Sequence, residues 1–510
     1  MKCVSKLSFS AAIGVGTALL AIPAHSQNCG QLTALHATGM TVTLAHRVEP
    51  GKFTGRPADA AKYAALPAFC QVIAILRPTS DSEIGIEVWL PEPAAWNGKF
   101  EGTGNGGWGG SINYTDMARA IARGYAATST DTGHTGGSAA FAAGHPEKLI
   151  DFGYRAIHEM TVATKVIVNA YYGRPQRLAY FAGCSSGGRQ AMMEAQRYPE
   201  DYDGIIAGAP TYDWTNMMFG RIWVAQATLA DTASYIPRSQ YPLIHDAALA
   251  ACDAKDGVKD RLVSDPLSCH FDPAVLACKQ GESGSSCLTP AQVQAAKRIY
   301  TPTTNPVTHA EIYPPMERGS ELAWGTLAGG PAPITLATDY FKYVVFNDPK
   351  WDFKTLNFSS DLAKAQQIDH GTLTASNPDL RPFFAHGGKL IHYHGWTDWQ
   401  VMPESSIQYF ERVNANSGKA ASDSYRLFLV PGMGHCGSGD GPNTFDMLTE
   451  LEQWREHGKA PDAVPATHAN AEGKVDRSRP LCAWPEQARY RGTGSTDEAA
   501  NFSCVKPVLP

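Results

Sequence analysis

An α/β fold interrupted by a large insertion is what this chain predicts, and three observations carry that reading. Strand-like apolar runs alternate with helical patterns from about residue 70 to 210. The alternation stops at about 211 and resumes with Lys389-Leu-Ile-His-Tyr393. One predicted strand ends at Gly183-Cys184-Ser185-Ser186-Gly187, a glycine-flanked turn that leads straight into a helical pattern. Alternating strands and helices imply a sheet covered by helices.

Taken in order, Val72–Leu76 and Ile84–Leu90 read as strands, the second alternating in character. Phe100 leads into the glycine-rich loop 102–110. Tyr125–Thr130 resembles a buried strand. Residues 154–171 place Ile157, Met160, Val162, Val166, Ile167 and Ala170 at helical spacing. Leu178–Ala182 is the strand that ends at the serine; Gly188 to Tyr198 is helical, and Pro199 stops it. Ile205–Pro210 is a further strand end. Between 211 and 384 the character changes to clustered prolines, four closely spaced cysteines and aromatic segments such as Tyr340–Phe346. This stretch is expected to be an inserted lid domain. Lys389–Tyr393, a helical 404–414 and Tyr425–Val430 then supply the last two strands of the same sheet. Residues 27–210 and 385–510 are thus expected to form one catalytic domain.

Composition narrows the class. Hydrophobic content of 43% and charged content of 18% describe a globular chain. A net charge of −6 argues against nucleic acid or an anionic membrane surface as the main partner. Lys2 and Lys6 precede an apolar run from Phe9 to Ile22, and Ala24-His25-Ser26 offers small residues for cleavage before Gln27. Residues 1–26 therefore read as a signal peptide, and the mature chain as secreted or periplasmic. No later stretch is long and apolar enough to span a membrane.

Cysteine usage agrees with export. Ten cysteines follow the signal: Cys29, Cys70, Cys184, Cys252, Cys269, Cys278, Cys287, Cys436, Cys482 and Cys504. An even number in an exported chain points to disulfides. Sequence alone leaves the connectivity open. Pairing near neighbours suggests Cys29–Cys70, Cys252–Cys269, Cys278–Cys287 and Cys482–Cys504, leaving Cys184–Cys436 as the one long-range bridge. No C-x2-C pair supports zinc.

That long-range bridge would join two residues with chemistry beside them. Ser185 follows Cys184, and His435 precedes Cys436. Strand, G-x-S-x-G and helix are the context of a nucleophile elbow. A serine nucleophile needs a histidine base, and the base needs an acid to orient it. Asp398, in His394-Gly-Trp-Thr-Asp-Trp-Gln-Val401, follows the penultimate predicted strand. The chain order Ser, acid, His is that of α/β-hydrolases, so Asp440 and Asp446, which come after His435, are excluded. The oxyanion of acyl transfer needs backbone donors: the N–H of Ser186, and one from Gly106 or Gly107 in the glycine-rich loop. That loop lacks a Walker lysine and is no phosphate cradle.

The set resembles the tannase/feruloyl esterase family. Its signature joins Cys184-Ser185 to His435-Cys436 by a disulfide, with Asp398 between. The resemblance includes Gly104-Asn-Gly-Gly-Trp108, Gly183-Cys-Ser-Ser-Gly-Gly-Arg-Gln190 and Pro431-Gly-Met-Gly-His-Cys436, and runs from about Cys29 to Cys504. It implies an α/β-hydrolase core with a large inserted lid domain, five disulfides like those above, and a serine carboxylesterase acting on small esters of aromatic acids, with no organic cofactor. Feruloyl (hydroxycinnamic) esters, the galloyl esters of a tannase and a terephthalate monoester are the candidate substrates. The terephthalate branch holds the free carboxylate with a lid arginine. Residues 330–342 here contain Pro333, Ala337 and Thr338 but no arginine, which counts against that substrate. A non-catalytic hydrolase-fold binding protein would have lost one of the three residues, and none is missing. Trp108, Trp396, Trp399, Trp324, Tyr340 and Phe341 are candidates to line an aromatic pocket or simply to pack.

The segment Cys252-Asp253-Ala-Lys-Asp256-Gly-Val258-Lys-Asp260-Arg-Leu262 gathers three carboxylates in eight residues. From the residues alone it is a solvated acidic turn or a metal loop; it is no EF-hand. The resemblance implies a structural calcium held by Asp253, Asp256 and Asp260 and the carbonyls of Val258 and Leu262. His392 and His394, two apart on a strand, are read as ordinary strand-end histidines rather than zinc ligands.

Overall fold

A ten-stranded sheet organises the protein. In this computed structural model the described residues are 28–506 except 56 and 283. The signal-peptide expectation for 1–26 lies outside them. The strands run β1 (His36–Ala37), β2 (Met40–Val48), β3 (Phe69–Leu76), β4 (Ile84–Pro91), β5 (Lys99–Thr103), β6 (Ala126–Thr130), β7 (Leu178–Cys184) and β8 (Gly204–Gly208). A hairpin, β9 (Thr303–Thr304) with β10 (Glu311–Tyr313), lies in the insertion. Then β11 (Lys389–Gly395) and β12 (Tyr425–Val430) return to the main sheet. Its order is β1-β2-β3-β4-β6-β5-β7-β8-β11-β12. Pairing is antiparallel from β1 to β6, then parallel from β6 through β12.

Side chains on a strand alternate between faces, and β7 shows why the sheet needs two covers. Ala179 and Phe181 join an apolar layer with Ile157, Met160 and Ile167 of helix Ala156–Tyr172 and Met192 of helix Ser186–Arg197. Tyr180 and Ala182 join the opposite layer, with Met117 and Ile121 of helix Tyr114–Ala122 and Leu451 and Trp454 of helix Met447–His457. Helix Ser186–Arg197 begins two residues earlier than its predicted start, because the glycines 187 and 188 lie inside its first turn.

Seven strands outside the insertion depart from the sequence expectation. β5 has the sequence Lys-Phe-Glu-Gly-Thr and is wholly buried, so its two charged residues hid it. β1 and β2 form an edge whose outer positions are polar or exposed. β13 (Ala463–Ala469) pairs with β14 (Val475–Cys482), and β15 (Gln487–Tyr490) with β16 (Phe502–Val505), in two small C-terminal hairpins that were not read at all.

Residues 211–384 connect β8 to β11 and are largely helical, with helices Trp214–Leu229, Tyr241–Cys252, Pro290–Ile299 and Ser360–Asp369. They build an apolar core around Trp214, Phe219, Ile244, Trp324, Tyr340 and Phe341, into which Trp108 and Phe152 reach from the sheet side. The disulfides Cys29–Cys70, Cys184–Cys436, Cys252–Cys269, Cys278–Cys287 and Cys482–Cys504 all form. Among the described residues no helix is long and apolar enough to cross a membrane.

Candidate active site

Ser185 occupies a turn that few residues adopt. It has φ 64° and ψ −121°, between the end of β7 and a helix that starts at Ser186. Such strain persists only where the surroundings over-determine it. Here the Ser185 N–H donates to the Gly208 carbonyl at 2.9 Å, and its carbonyl accepts from the N–H groups of Arg189 and Thr211 at 3.0 and 3.2 Å. The turn also needs glycine neighbours: a Cβ on Gly183 would lie 2.6 Å from the backbone of Gly187. Helix and strand therefore approach backbone to backbone directly behind the serine.

The acid and base meet as expected from their strand ends. His435 Nδ1 donates to Asp398 Oδ2 at 2.7 Å. Asp398 is fully buried just past β11. Its Oδ1 accepts from the N–H groups of Gln400 and Val401 at 2.7 and 3.0 Å, and Oδ2 accepts a second ring N–H, from His394, at 3.1 Å. Burial alone would raise its pKa. The charge of His435 and the donors of His394 and His435 overcome that, and hold the carboxyl far below its ordinary value. Asp398 is thus an anion that fixes His435 with its proton on Nδ1, leaving Nε2 as a lone-pair acceptor. The Cys184–Cys436 bond sets the two flanking backbones 5.9 Å apart between Cα atoms. Among the described residues Ser185 Oγ makes no hydrogen bond, an open geometry usual without substrate.

The glycine-rich loop faces the same turn. Ser186 Oγ donates to the Gly107 carbonyl at 2.6 Å, tying Ser186 to that loop. Gly107 has φ 57°, and a Cβ there would meet only Leu336 Cδ1 at 3.8 Å; a Cβ on Gly106 would meet nothing within 4 Å. The backbone is thus open on the Cβ side at Gly106 and in ordinary contact with Leu336 at Gly107. Gln190 ties this loop to the helix behind the serine, and its neighbour Arg189 anchors the same helix elsewhere. Gln190 Nε2 donates to Asn105 Oδ1 and its Oε1 accepts from Asn105 N, both at 3.0 Å. Arg189 lies fully buried, donating to the carbonyls of Gly153 and Phe152 at 2.6 and 3.1 Å. Nothing in the spacing distinguished these long polar residues from surface ones.

Of the six aromatic residues singled out, Trp108, Trp396, Trp324, Tyr340 and Phe341 are core residues, at most 2% exposed. Only Trp399 is part-exposed near the site, its ring 6.4 Å from that of His435. Leu336 carries the insertion to the glycine loop, its carbonyl accepting from Trp108 Nε1 at 3.2 Å.

The acidic loop of the insertion offers the hard oxygen donors that calcium prefers. Asp253 Oδ1 accepts from the N–H groups of Asp260 and Arg261 at 3.0 and 3.1 Å, and Asp256 Oδ1 from Val258 at 2.9 Å, so the loop folds around its own carboxylates. Burial, and then the charges of Asp260 and Asp253, push the Asp256 pKa up. Arg479, from β14, pairs with Asp260 and offsets one of the three charges. Among the described residues no three His, Cys, Asp or Glu side chains converge as a ready-made metal cage.

The mixed sheet and the strand–turn–helix at Ser185 define an α/β-hydrolase fold. The family description "Tannase and feruloyl esterase" matches residues 70–505. The chain belongs to that family and is a carboxylic ester hydrolase. It is 38% identical to an uncharacterized esterase of Xanthomonas campestris pv. campestris, covering 97% of this chain and 93% of that one. It is 35% identical to a probable feruloyl esterase B-1 of Aspergillus oryzae, over 86% of this chain and 84% of that one. The crystal structure of feruloyl esterase B from Aspergillus oryzae superposes with a TM-score of 0.88 at 32% identity, covering 94% and 99% of the two chains. Tannin acyl hydrolase from Aspergillus niger shares the fold, with a TM-score of 0.77 at 24% identity over 92% of each chain.

Proposed function

We propose that this chain is an exported serine esterase that hydrolyses esters of aromatic, hydroxycinnamic-type acids. The observation that carries the reading is the His435–Asp398 hydrogen bond held beside the strained Ser185 turn by the Cys184–Cys436 bond. Ser185 Oγ attacks the ester carbonyl while His435 Nε2 takes its proton. The carbonyl π electrons move to oxygen, which accepts hydrogen bonds from the N–H of Ser186 and of Gly106 or Gly107. Collapse of this intermediate expels the alcohol, which receives its proton from His435, and leaves an acyl-serine. Water then attacks the acyl carbon with His435 again as base; the bond to Ser185 Oγ breaks, His435 returns the proton to that oxygen, and the acid leaves. Asp398 stays ionised throughout and stabilises the imidazolium.

The aromatic-acid assignment rests on the feruloyl esterases among its relatives. Leu336 beside Gly107 and the Trp399 ring near His435 offer apolar surface. Residues 1–26 serve in this reading as a cleavable signal for a secreted or periplasmic enzyme. A calcium ion at Asp253, Asp256, Asp260 and the Val258 and Leu262 carbonyls supplies positive charge to the acidic loop, and no catalytic step runs through it.

Turnover of methyl ferulate, methyl gallate and the terephthalate monoester should be measured side by side, with the wild type and Ser185→Ala. Methyl ferulate is expected to be preferred, and Ser185→Ala to lower kcat by at least about 10³-fold. Preference for methyl gallate would make the protein a tannase. Preference for the terephthalate monoester would overturn the lid argument, and turnover that survives Ser185→Ala would overturn the site.

A further inference from the structure

We infer that His394 is a positioning residue for this site, held in a single tautomer by a buried hydrogen-bond chain from Tyr425 to Asp398. The inference rests on the assignment of Asp398 and His435 above. His394 and His392 lie on one face of β11, fully buried beneath helix Pro403–Ser417. His394 Nε2 contacts Asp398 Oδ2 at 3.1 Å and the Val401 carbonyl at 3.0 Å. A backbone carbonyl only accepts, so Nε2 carries a proton. His394 Nδ1 lies 2.6 Å from Ser406 Oγ. Uncharged, that nitrogen accepts, so the Ser406 hydroxyl donates to it. Ser406 Oγ then accepts from His392 Nε2 at 2.8 Å, and His392 Nδ1 accepts from the Tyr425 hydroxyl, also at 2.8 Å. With both rings neutral, one direction satisfies all four links: Tyr425 to His392 to Ser406 to His394 to Asp398.

The chain's geometry explains what it does. His394 and His435 donate to the same carboxylate oxygen, Oδ2, from two sides. Oδ1 is held by two backbone N–H groups and Oδ2 by His394, and together they keep the carboxylate turned toward His435. Among the described residues a further charged group near it is Arg221 of helix Trp214–Leu229, which donates to the Gln400 carbonyl at 3.0 Å and is fully buried. Each link of such a chain polarises the next, and a fixed donor at Oδ2 tempers how strongly Asp398 pulls on the His435 proton. Without it the carboxylate is looser and more basic toward His435, whose imidazolium is then easier to form and harder to discharge.

Three variants test this on the full chain, with folding checked by thermal melting and methyl ferulate as substrate. His394→Leu removes the donor: kcat is expected to fall roughly 10- to 100-fold, KM to stay near wild type, and the acidic limb of the kcat/KM profile to move to higher pH. His394→Gln places an amide N–H where Nε2 lies, and is expected to recover most of kcat and return the limb. Ser406→Ala keeps the ring but removes the hydroxyl that sets its tautomer, and is expected to lower kcat several-fold with the same direction of limb shift. Wild-type kcat and limb in His394→Leu, or a His394→Gln variant no better than His394→Leu, would overturn the inference. If neither His394 variant folds, Ser406→Ala decides, and a wild-type profile there overturns it. Ser185→Ala reports on the nucleophile alone, so a failure of the esterase site is separable from a failure of this chain.

Discussion

Glu101 illustrates what a single side chain in this sheet costs. It sits on β5, fully buried, and neither carboxylate oxygen has a hydrogen bond among the described residues. Burial raises its pKa to about 7, opposed mainly by Arg119, whose guanidinium is 3.7 Å away. The folded state therefore binds the proton more tightly than the unfolded chain, whose ordinary value is 4.5. The favourable contribution is complete below about 4.5 and is lost as pH rises through about 7. Glu101→Gln is expected to exceed the wild type in stability at pH 8 by on the order of 2–3 kcal/mol and to match it at pH 4. Urea unfolding at both pH values measures this, and a less stable variant at pH 8 would mean that the Arg119 pairing outweighs desolvation. At this scale the sequence was legible where chemistry forces a neighbour. Asp398 and His435 could be paired because strand ends and chain order constrain them. Asn105, Gln190 and His394 were invisible in their roles, since a buried polar side chain looks like an exposed one until its partners are known.

Among the elements, those with one character throughout were the readable ones. β7, with the sequence Leu-Ala-Tyr-Phe-Ala-Gly-Cys, carries no charged residue and ends directly at the serine. β5 and the edge strands mix charge or polarity into the pattern, and only pairing with neighbours reveals them. Of the six aromatics left between pocket and packing, five pack in the core, because hydrophobicity near a motif does not say which way a side chain points. The link between elements that matters most to the site is the Cys184–Cys436 bond, which joins the end of β7 to the loop after β12. Replacing both cysteines by alanine is expected to lower kcat at least about tenfold, because a displacement near 1 Å at a reacting centre is costly. The far-ultraviolet circular dichroism should be retained. Full activity with the folded spectrum intact would show the bond to be incidental.

The whole molecule couples a sheet to an insertion through a small number of contacts with chemical consequences. The acidic loop lies in the insertion, yet Arg479, its charge partner, comes from β14. Under the calcium reading, removing the ion leaves three carboxylates with one guanidinium between them. Chelation is expected to lower Tm by about 2–4 °C, with calcium restoring it and magnesium, which dehydrates reluctantly, failing to. Differential scanning calorimetry with and without chelator checks this, and an unmoved Tm would assign the loop to charge balance by Arg479 alone.

The order in which the cysteines can meet has a further meaning. Four bridges close spans of 9, 17, 22 and 41 residues, whereas Cys184 and Cys436 are 252 apart with the whole insertion between them. Constraining so long a loop is worth about 5 kcal/mol in chain entropy against about 3 for the shortest, but the two ends meet only rarely in a disordered chain. That bond is therefore expected to form after the insertion has found its place against the sheet. It would then work as an inspection stamp, locking the serine and histidine opposite each other once the intervening 250 or so residues have folded.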